Sequence, residues 1–399
     1  MTTSSTQTNN IFLVALLASI CALPPLATDM YLPSLPEIST QFATNASSVQ
    51  LTITAWLIGL AFGQVIAGPI SDIYGRSKPL LIGLIIFALS CGLCVITPSI
   101  EIFIFARLVG GFSAASALVV SRAIATDICH GTTLTKFLAT VMVIQGIAPI
   151  LAPVIGGQLV RFFPWESNFV ILGAFGIIII LMTLGKYRES LPVEKRLKGN
   201  FSKIVHVFSS LCSRPSFASL CAVQFFIFCA FFGYISGMPF ILQGIYGFSP
   251  QEFSLVFAIM GIGLMVIGKT TNILAGRISD AKLLLFALCQ GTLFGILFLV
   301  GILLNLDVFI LLVFLFLSQT SLSMSAATSF SLAMQAQKKV SGSASALLGF
   351  FSMISGALVA PIVGIGGGTT AVPTGIVIAL CDFLALIVFL VCNKRKVAN

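Results

Sequence analysis

Apolar stretches of about twenty residues alternate with short polar breaks along this chain, and they do so twelve times. The runs fall at about 11–33, 50–71, 79–97, 101–124, 136–160, 166–185, 215–240, 252–274, 281–303, 307–329, 341–364 and 372–392. A bilayer core takes about 20 apolar residues per helix. In lipid a spanning segment must also pair its own backbone groups, so each run predicts a transmembrane helix. One longer polar stretch, 186–214, separates six runs from six. The expected architecture is an all-α membrane protein with two pseudo-symmetric six-helix bundles, 1–185 and 215–399, joined by a cytoplasmic linker, 186–214. Met1–Asn10 is polar and lacks Lys and Arg, unlike a cleaved secretory leader, so the run from Ile11 is read as the first span.

A repeat supports the division. Ala67-Gly68-Pro69-Ile70-Ser71-Asp72 returns as Ala275-Gly276-Arg277-Ile278-Ser279-Asp280, and Ala152-Pro153-Val154-Ile155-Gly156 returns as Ala360-Pro361-Ile362-Val363-Gly364. Both pairs are 208 residues apart. Two matches at one offset indicate duplicated halves of the same orientation, an arrangement that places a substrate site between the halves.

Composition agrees: 58% of residues are hydrophobic, only 8% are charged, and the mean hydropathy is +1.10. Soluble domains carry about 25% charged residues. The net charge of +9 does not indicate nucleic acid, because the basic residues sit in short loops. With a cytoplasmic N-terminus, Arg76, Lys78, Lys136, Lys338, Lys339, Lys394, Arg395, Lys396 and the basic linker residues share one side. Glu37, Glu101, Glu252 and Asp307 share the other, with Arg161 as the basic exception. Both termini are therefore expected in the cytoplasm. The ten Cys are scattered singly through apolar runs, and Cys91 and Cys94 form a CxxC inside one of them. Buried thiols act as small hydrophobes. His130 and His206 have no ligand-spaced partners. No metal site, cofactor motif or catalytic cluster is expected, and an enzyme is not predicted.

Between the second and third runs the chain reads Gly68-Pro69-Ile70-Ser71-Asp72-Ile73-Tyr74-Gly75-Arg76. This resembles the G-x-L-x-D-x-x-G-R motif of the major facilitator superfamily. Leu26-Ala27-Thr28-Asp29-Met30-Tyr31-Leu32-Pro33 is similar to the first helix of the bicyclomycin-resistance (Bcr/CflA) drug:proton antiporters. Ser121-Arg122-Ala123-Ile124 with Asp127, and Ala148-Pro149, Ala152-Pro153 and Gly156-Gly157, are similar to that group's fourth and fifth helices. The chain departs from the pattern at Ala152, where Gly is usual, at Gly110 in Arg107-Leu108-Val109-Gly110-Gly111, where Gln is usual, and at Trp165-Glu166, where Trp-Arg is usual. The resemblance implies a major facilitator fold in a bacterial inner membrane. It implies a proton-coupled multidrug or metabolite exporter working by alternating access. A nutrient symporter of the same fold is the alternative.

The candidate residues follow. An acid inside a membrane is costly and marks function by default. Burial favours its neutral form and a nearby cation its charged form, so it can exchange a proton. Asp29 in the first span and Arg107 in the fourth lie at similar depths and are the expected proton-coupling pair. Gly68, Asp72, Gly75, Arg76, Arg122 and Asp127 form the expected cytoplasmic gate. Pro149, Pro153, Gly156, Gly157 and Pro361 are read as hinge and interface positions, with the fifth span bent. Tyr31, Gln64, Gln145, Gln224, Tyr234 and Gln290 are candidates for lining a substrate cavity. Asp382, mid-span in the last run, is a possible second acid. The expected partners are a small amphipathic or drug-like molecule, protons and the lipid bilayer, without nucleic acid, and the protein is expected to be a monomer.

Overall fold

A computed structural model describes residues 3–128, 131–187, 189–196, 209–335, 341–366 and 368–397. Both histidines and the basic residues Arg188, Lys198, Lys203, Lys338 and Lys339 lie outside the described residues. Among the described residues, twelve helices are long and apolar enough to cross a membrane. In chain order the helices are α1 (Thr3–Asp29), α2 (Leu35–Gln41), α3 (Ala46–Tyr74), α4 (Ser77–Val95), α5 (Ile100–Ile128), α6 (Gly131–Phe162) and α7 (Ser167–Lys186). They continue as α8 (Pro215–Pro239), α9 (Pro250–Leu274), α10 (Asp280–Leu303), α11 (Val308–Gln335), α12 (Ser341–Gly364) and α13 (Val372–Val397). Half of the spanning helices run several residues past the apolar stretch that predicts them. The polar ends stay helical because the backbone ladder continues wherever no Gly or Pro stops it. The short α2 is an addition to the expected set. It follows a single 3-10 turn at Leu32–Ser34, with Pro36 in its first turn, where a missing N–H is harmless.

The chain divides into two compact units, Met1–Leu32 with Ala55–Gly199 and Pro33–Thr54 with Asn200–Asn399. The sequence division assigns 33–54 to the first bundle, whereas here it belongs to the second unit. Side chains of this segment bond to backbone carbonyls of that unit. Gln50 Nε2 donates to Ser236 O (2.8 Å), Ser47 Oγ to Pro361 O (3.1 Å) and Thr54 Oγ1 to Ala357 O (3.1 Å), while Gln243 Nε2 donates to Pro33 O (3.0 Å). Gly364 permits the approach, since a Cβ there would collide with Gln50 and Ser47. The described linker residues up to Arg196 belong to the first unit, whereas Leu211 packs in the apolar cluster of the second.

Within the first unit, small residues set the spacing. A Cβ on Gly59 of α3 would lie 2.6 Å from Phe112 N, and one on Gly63 would lie 2.8 Å from the Ala115 Cβ. Glycines four apart let α3 and α5 meet backbone to backbone, the usual device where lipid offers no hydrophobic drive between helices. In the second unit, Leu220, Ile227, Leu284, Leu348 and Phe389 belong to one buried apolar cluster.

Candidate functional site

The end of α1 positions the first candidate pair. Thr28 Oγ1 donates to Pro24 O (2.7 Å) and accepts from Trp56 Nε1 (2.7 Å), which fixes the last turn of α1 against α3. Asp29, the final residue of α1, is 6% exposed. Arg107 of α5 is 2% exposed, and its guanidinium carbon lies 4.3 Å from the ring centroids of both Tyr31 and Trp56 and 5.6 Å from that of Phe169. Phe103 and Trp165 close the cluster around Phe169. A desolvated cation held on aromatic faces gains about 2 kcal/mol or more. Asp29 lies within reach of the Arg107 charge, but the two form no direct ion pair. The Nε and Nη2 groups of Arg107 have no hydrogen-bond acceptor among the described residues. The cage thus holds a fixed positive charge beside a carboxyl. Loss or gain of a proton there switches the local net charge between zero and plus one.

The second cluster lies where α3 meets α4. Gly75 adopts φ +91°, a left-handed turn that a Cβ would strain, and so reverses the chain after Tyr74. Arg76, buried, is then aimed back along α3. Its Nη1 bonds Asp72 Oδ1 (2.5 Å) and Ser71 Oγ (2.7 Å), and its Nε bonds Asp127 Oδ2 (2.9 Å) at the end of α5. Burial works against the Arg76 charge, but the carboxylates of Asp127 and Asp72 outweigh it and raise its affinity for the proton above the ordinary arginine value.

The chain after α7 completes this cluster, and sequence reasoning did not find it. Glu189 accepts backbone N–H groups from Arg76 (2.8 Å), Ser77 (3.0 Å) and Leu191 (3.0 Å). Ser190 Oγ donates to Asp127 Oδ2 (3.2 Å), and Arg196 Nη2 lies 3.9 Å from Glu189 Oε2. Glu189 therefore caps the start of α4 from 112 residues away. Burial alone would raise its pKa, but the backbone donors of Arg76, Leu191 and Ser77 hold it below the ordinary value. Glu194, close by in the same stretch, makes no such bonds among the described residues, and nothing in the sequence separates the two.

Arg122 stands apart from this network. It is exposed and makes no ion pair among the described residues. Five residues separate it from Asp127, which at about 100° per residue puts the two about 140° apart around α5. Gly68 lies inside α3, where an added Cβ would meet only Val119 at 3.7 Å.

The expected cavity residues scatter. Tyr31 is fully buried in the aromatic cluster under Arg107 rather than lining a cavity. Gln64 and Gln145 are half-buried on α3 and α6. Gln224 is buried and accepts from Ser329 Oγ (2.6 Å), Gln290 donates to Leu317 O (2.8 Å), and Tyr234 stacks on Phe257 at 4.8 Å. These three tie neighbouring helices of the second unit together. Pro149 and Pro153 lie within α6, which runs unbroken from Gly131 to Phe162. Gly156 presses α6 onto the end of α1, where a Cβ would collide with Met30 O, and Gly157 is buried beside it. Pro361 lies within α12. Asp382 is 7% exposed in α13. Its Oδ2 accepts from Ser318 Oγ (3.1 Å), its backbone O accepts from Thr292 Oγ1 (3.1 Å), and Gly291 and Gly295 give it room. It thereby links α10, α11 and α13, with no cation within ion-pair distance among the described residues.

Comparison with known proteins bears on this arrangement. The chain is similar to the "Uncharacterized MFS-type transporter YdgK" of Bacillus subtilis (strain 168), 38% identical with 99% of this chain and 98% of that protein covered. It is 25% identical to the "Bicyclomycin resistance protein homolog" of Haemophilus influenzae, with 98% and 99% covered. It is 29% identical to the "Multidrug resistance protein MdtL" of Salmonella paratyphi C, with 67% of each covered. Among solved structures, a bacterial homolog of the human lysosomal transporter Spinster has a TM-score of 0.73 at 15% identity, covering 96% of this chain and 95% of that one. A D-xylose-proton symporter has a TM-score of 0.74 at 14% identity, with 96% of each covered. At such identities these two speak for the fold alone. The sequence pattern of the Major Facilitator Superfamily matches residues 15–360, and with twelve spanning helices the chain belongs to that family of multi-pass membrane transporters of small molecules.

Proposed function

We propose that this transporter is a proton-coupled exporter of drug-like or amphipathic molecules, working by alternating access as a monomer in the bacterial inner membrane, with both termini in the cytoplasm. The single observation that carries the reading is Asp29, 6% exposed, beside Arg107, 2% exposed and held on aromatic rings. Burial favours the neutral form of a carboxyl and a nearby fixed cation the charged form, so a change in surroundings can select between them. Proton uptake at Asp29 favours solute release outward, and proton loss inward accompanies solute binding. The membrane potential contributes about 2.3 kcal/mol per charge per 100 mV. The names of the bicyclomycin-resistance and multidrug-resistance relatives support export. The loops carrying Arg76 and Lys78 support the orientation.

A drug-susceptibility panel in a sensitive bacterial host tests the reading, comparing wild type with Asp29→Asn at equal membrane abundance. Wild type is expected to raise tolerance to at least one amphipathic compound. Asp29→Asn is expected to lose roughly tenfold of that protection, the change carried by about 1.4 kcal/mol. Equal protection by both proteins against every exported compound overturns the assignment. Inverted vesicles under an imposed pH gradient give the direction, and solute movement along with the proton overturns export.

A further inference from the structure

The second unit carries a cavity of about 1120 Å³ between α9 and α10, floored by α11. It extends from Ile259 to Leu274 on α9, past Ile278 in the loop, and from Lys282 to Phe294 on α10. At 1.5 Å per residue the α9 wall is about 22 Å long. A bilayer core is about 30 Å thick, so the groove is longer than one leaflet is deep. Its rims are apolar and open: Val266, Phe286 and Leu293 are each more than half exposed.

The polar groups in the groove explain what it suits. Thr270 Oγ1 donates to Val266 O (2.9 Å), Gln290 Nε2 to Leu317 O (2.8 Å) and Thr320 Oγ1 to Leu317 O (3.3 Å). Each of these three donors is already committed to backbone. Lys282, at the end nearest the α9–α10 loop, is the exception, because it has no acidic partner within ion-pair distance among the described residues. The neighbouring Asp280 accepts from Ser331 (2.7 Å) and Gln335 (3.0 Å) on α11. A long, mainly apolar channel ending in one unpaired cation matches a molecule with an apolar tail and an anionic head.

We propose that this groove binds an anionic phospholipid of the bilayer, one acyl chain lying along α9 and α10 and the phosphate on Lys282. The first unit repeats the arrangement on a smaller scale. A cavity of about 370 Å³ between α3, α4 and α5 again has one lysine, Lys78, at the loop end. Basic pockets between membrane helices attract anionic head groups at about 1 kcal/mol per cation.

The test is native mass spectrometry of the full-length protein, purified in detergent and titrated with phosphatidylglycerol or phosphatidylethanolamine of identical chains. Wild type is expected to favour phosphatidylglycerol about fivefold, the ratio given by about 1 kcal/mol. Lys282→Gln is expected to abolish the preference and Lys282→Arg to keep it. Val266→Trp, or Thr270→Phe where the first fails to fold, is expected to lower retention of both lipids. Equal binding of the two lipids by wild type overturns the proposal. So does an undiminished preference in Lys282→Gln, or unchanged retention in a well-folded groove-filling variant.

Discussion

The hexapeptides Ala67–Asp72 and Ala275–Asp280 differ at one position, Pro69 against Arg277, and they fold differently. In the first unit all six residues are helical, and α3 continues to Tyr74 before Gly75 turns the chain at φ +91°. In the second unit α9 stops at Leu274, Gly276 turns at φ +82°, and Asp280 opens α10. The cause lies just outside the repeat. At the 208-residue offset, Gly75 and Arg76 correspond to Leu283 and Leu284, both buried, and Asp127 corresponds to Gln335. Leucine resists a left-handed turn, so the second unit reverses at the glycine inside the hexapeptide instead. Asp72 then pairs with Arg76, which also bonds Asp127, whereas Asp280 accepts from the neutral Ser331 and Gln335. Duplication kept the scaffold in both units, and among the described residues the charged latch is found in the first.

The largest expected effect breaks that asymmetry directly. Arg76→Gln removes both ion pairs and leaves Asp127 and Asp72 without a cation, a loss of about 2–3 kcal/mol after allowing for the partial exposure of Asp72. Arg277→Gln, at the matching hexapeptide, removes an exposed side chain with no ion pair among the described residues and is expected to change stability by less than about 0.5 kcal/mol. Thermal unfolding of the two purified variants in one detergent checks the contrast, with export of the same solute as a second readout. Comparable losses in both variants would mean that the second loop holds a cation contact of equal weight.

A smaller difference is expected from the turns themselves. Gly75→Ala and Gly276→Ala both place a Cβ at positive φ, at about 1–2 kcal/mol each. The Gly75 variant suffers more, since its Cβ would lie 2.7 Å from both Arg196 Nη2 and Glu189 Oε2, whereas nothing lies within 4 Å at Gly276. Melting curves should therefore rank Gly75→Ala below Gly276→Ala. The reverse order would show that the chain after α7 does not press on this turn.

These contrasts show what the sequence could and could not reveal. The twelve spans were readable because bilayer thickness fixes their length and each run is apolar throughout. Asp72, Gly75, Arg76 and Asp127 were readable because their stretches resemble family motifs and fall at one depth. That same uniform apolarity hid which way side chains point, since a helix apolar on every face has no polar stripe to orient it. Arg122 was placed with Asp127 on resemblance and depth, and rotation around α5 separates them. Gln224 looks like a cavity residue in one dimension and proves to be a tie between adjacent helices, while Gln290 both lines the groove on α9 and α10 and bonds α11. Trp56 and Phe169, which hold Arg107, sit among many apolar neighbours and carry no mark in the sequence. Asp29 was visible because a single acid in such a run stands out.

Glu189 has no counterpart in the second unit's described loop, so it offers the finest test of the comparison. Glu189→Gln keeps the size and one acceptor oxygen but removes the charge that three backbone N–H groups address. The side chain is about one-third exposed, so screening reduces the expected loss to about 1 kcal/mol. Its pH dependence has a definite sign. The folded protein holds the Glu189 pKa below its ordinary value of 4.5, so the folded state prefers the carboxylate more strongly than the unfolded chain does. The stability difference between wild type and Glu189→Gln is then full at neutral pH, persists down to the ordinary glutamate range, and closes only as pH falls through the lowered value. Unfolding measured across that range separates this from a gap that shrinks already near neutrality, which would point to a different titrating group. A variant as stable as wild type at pH 7 would leave Arg76, Asp72 and Asp127 as the whole latch.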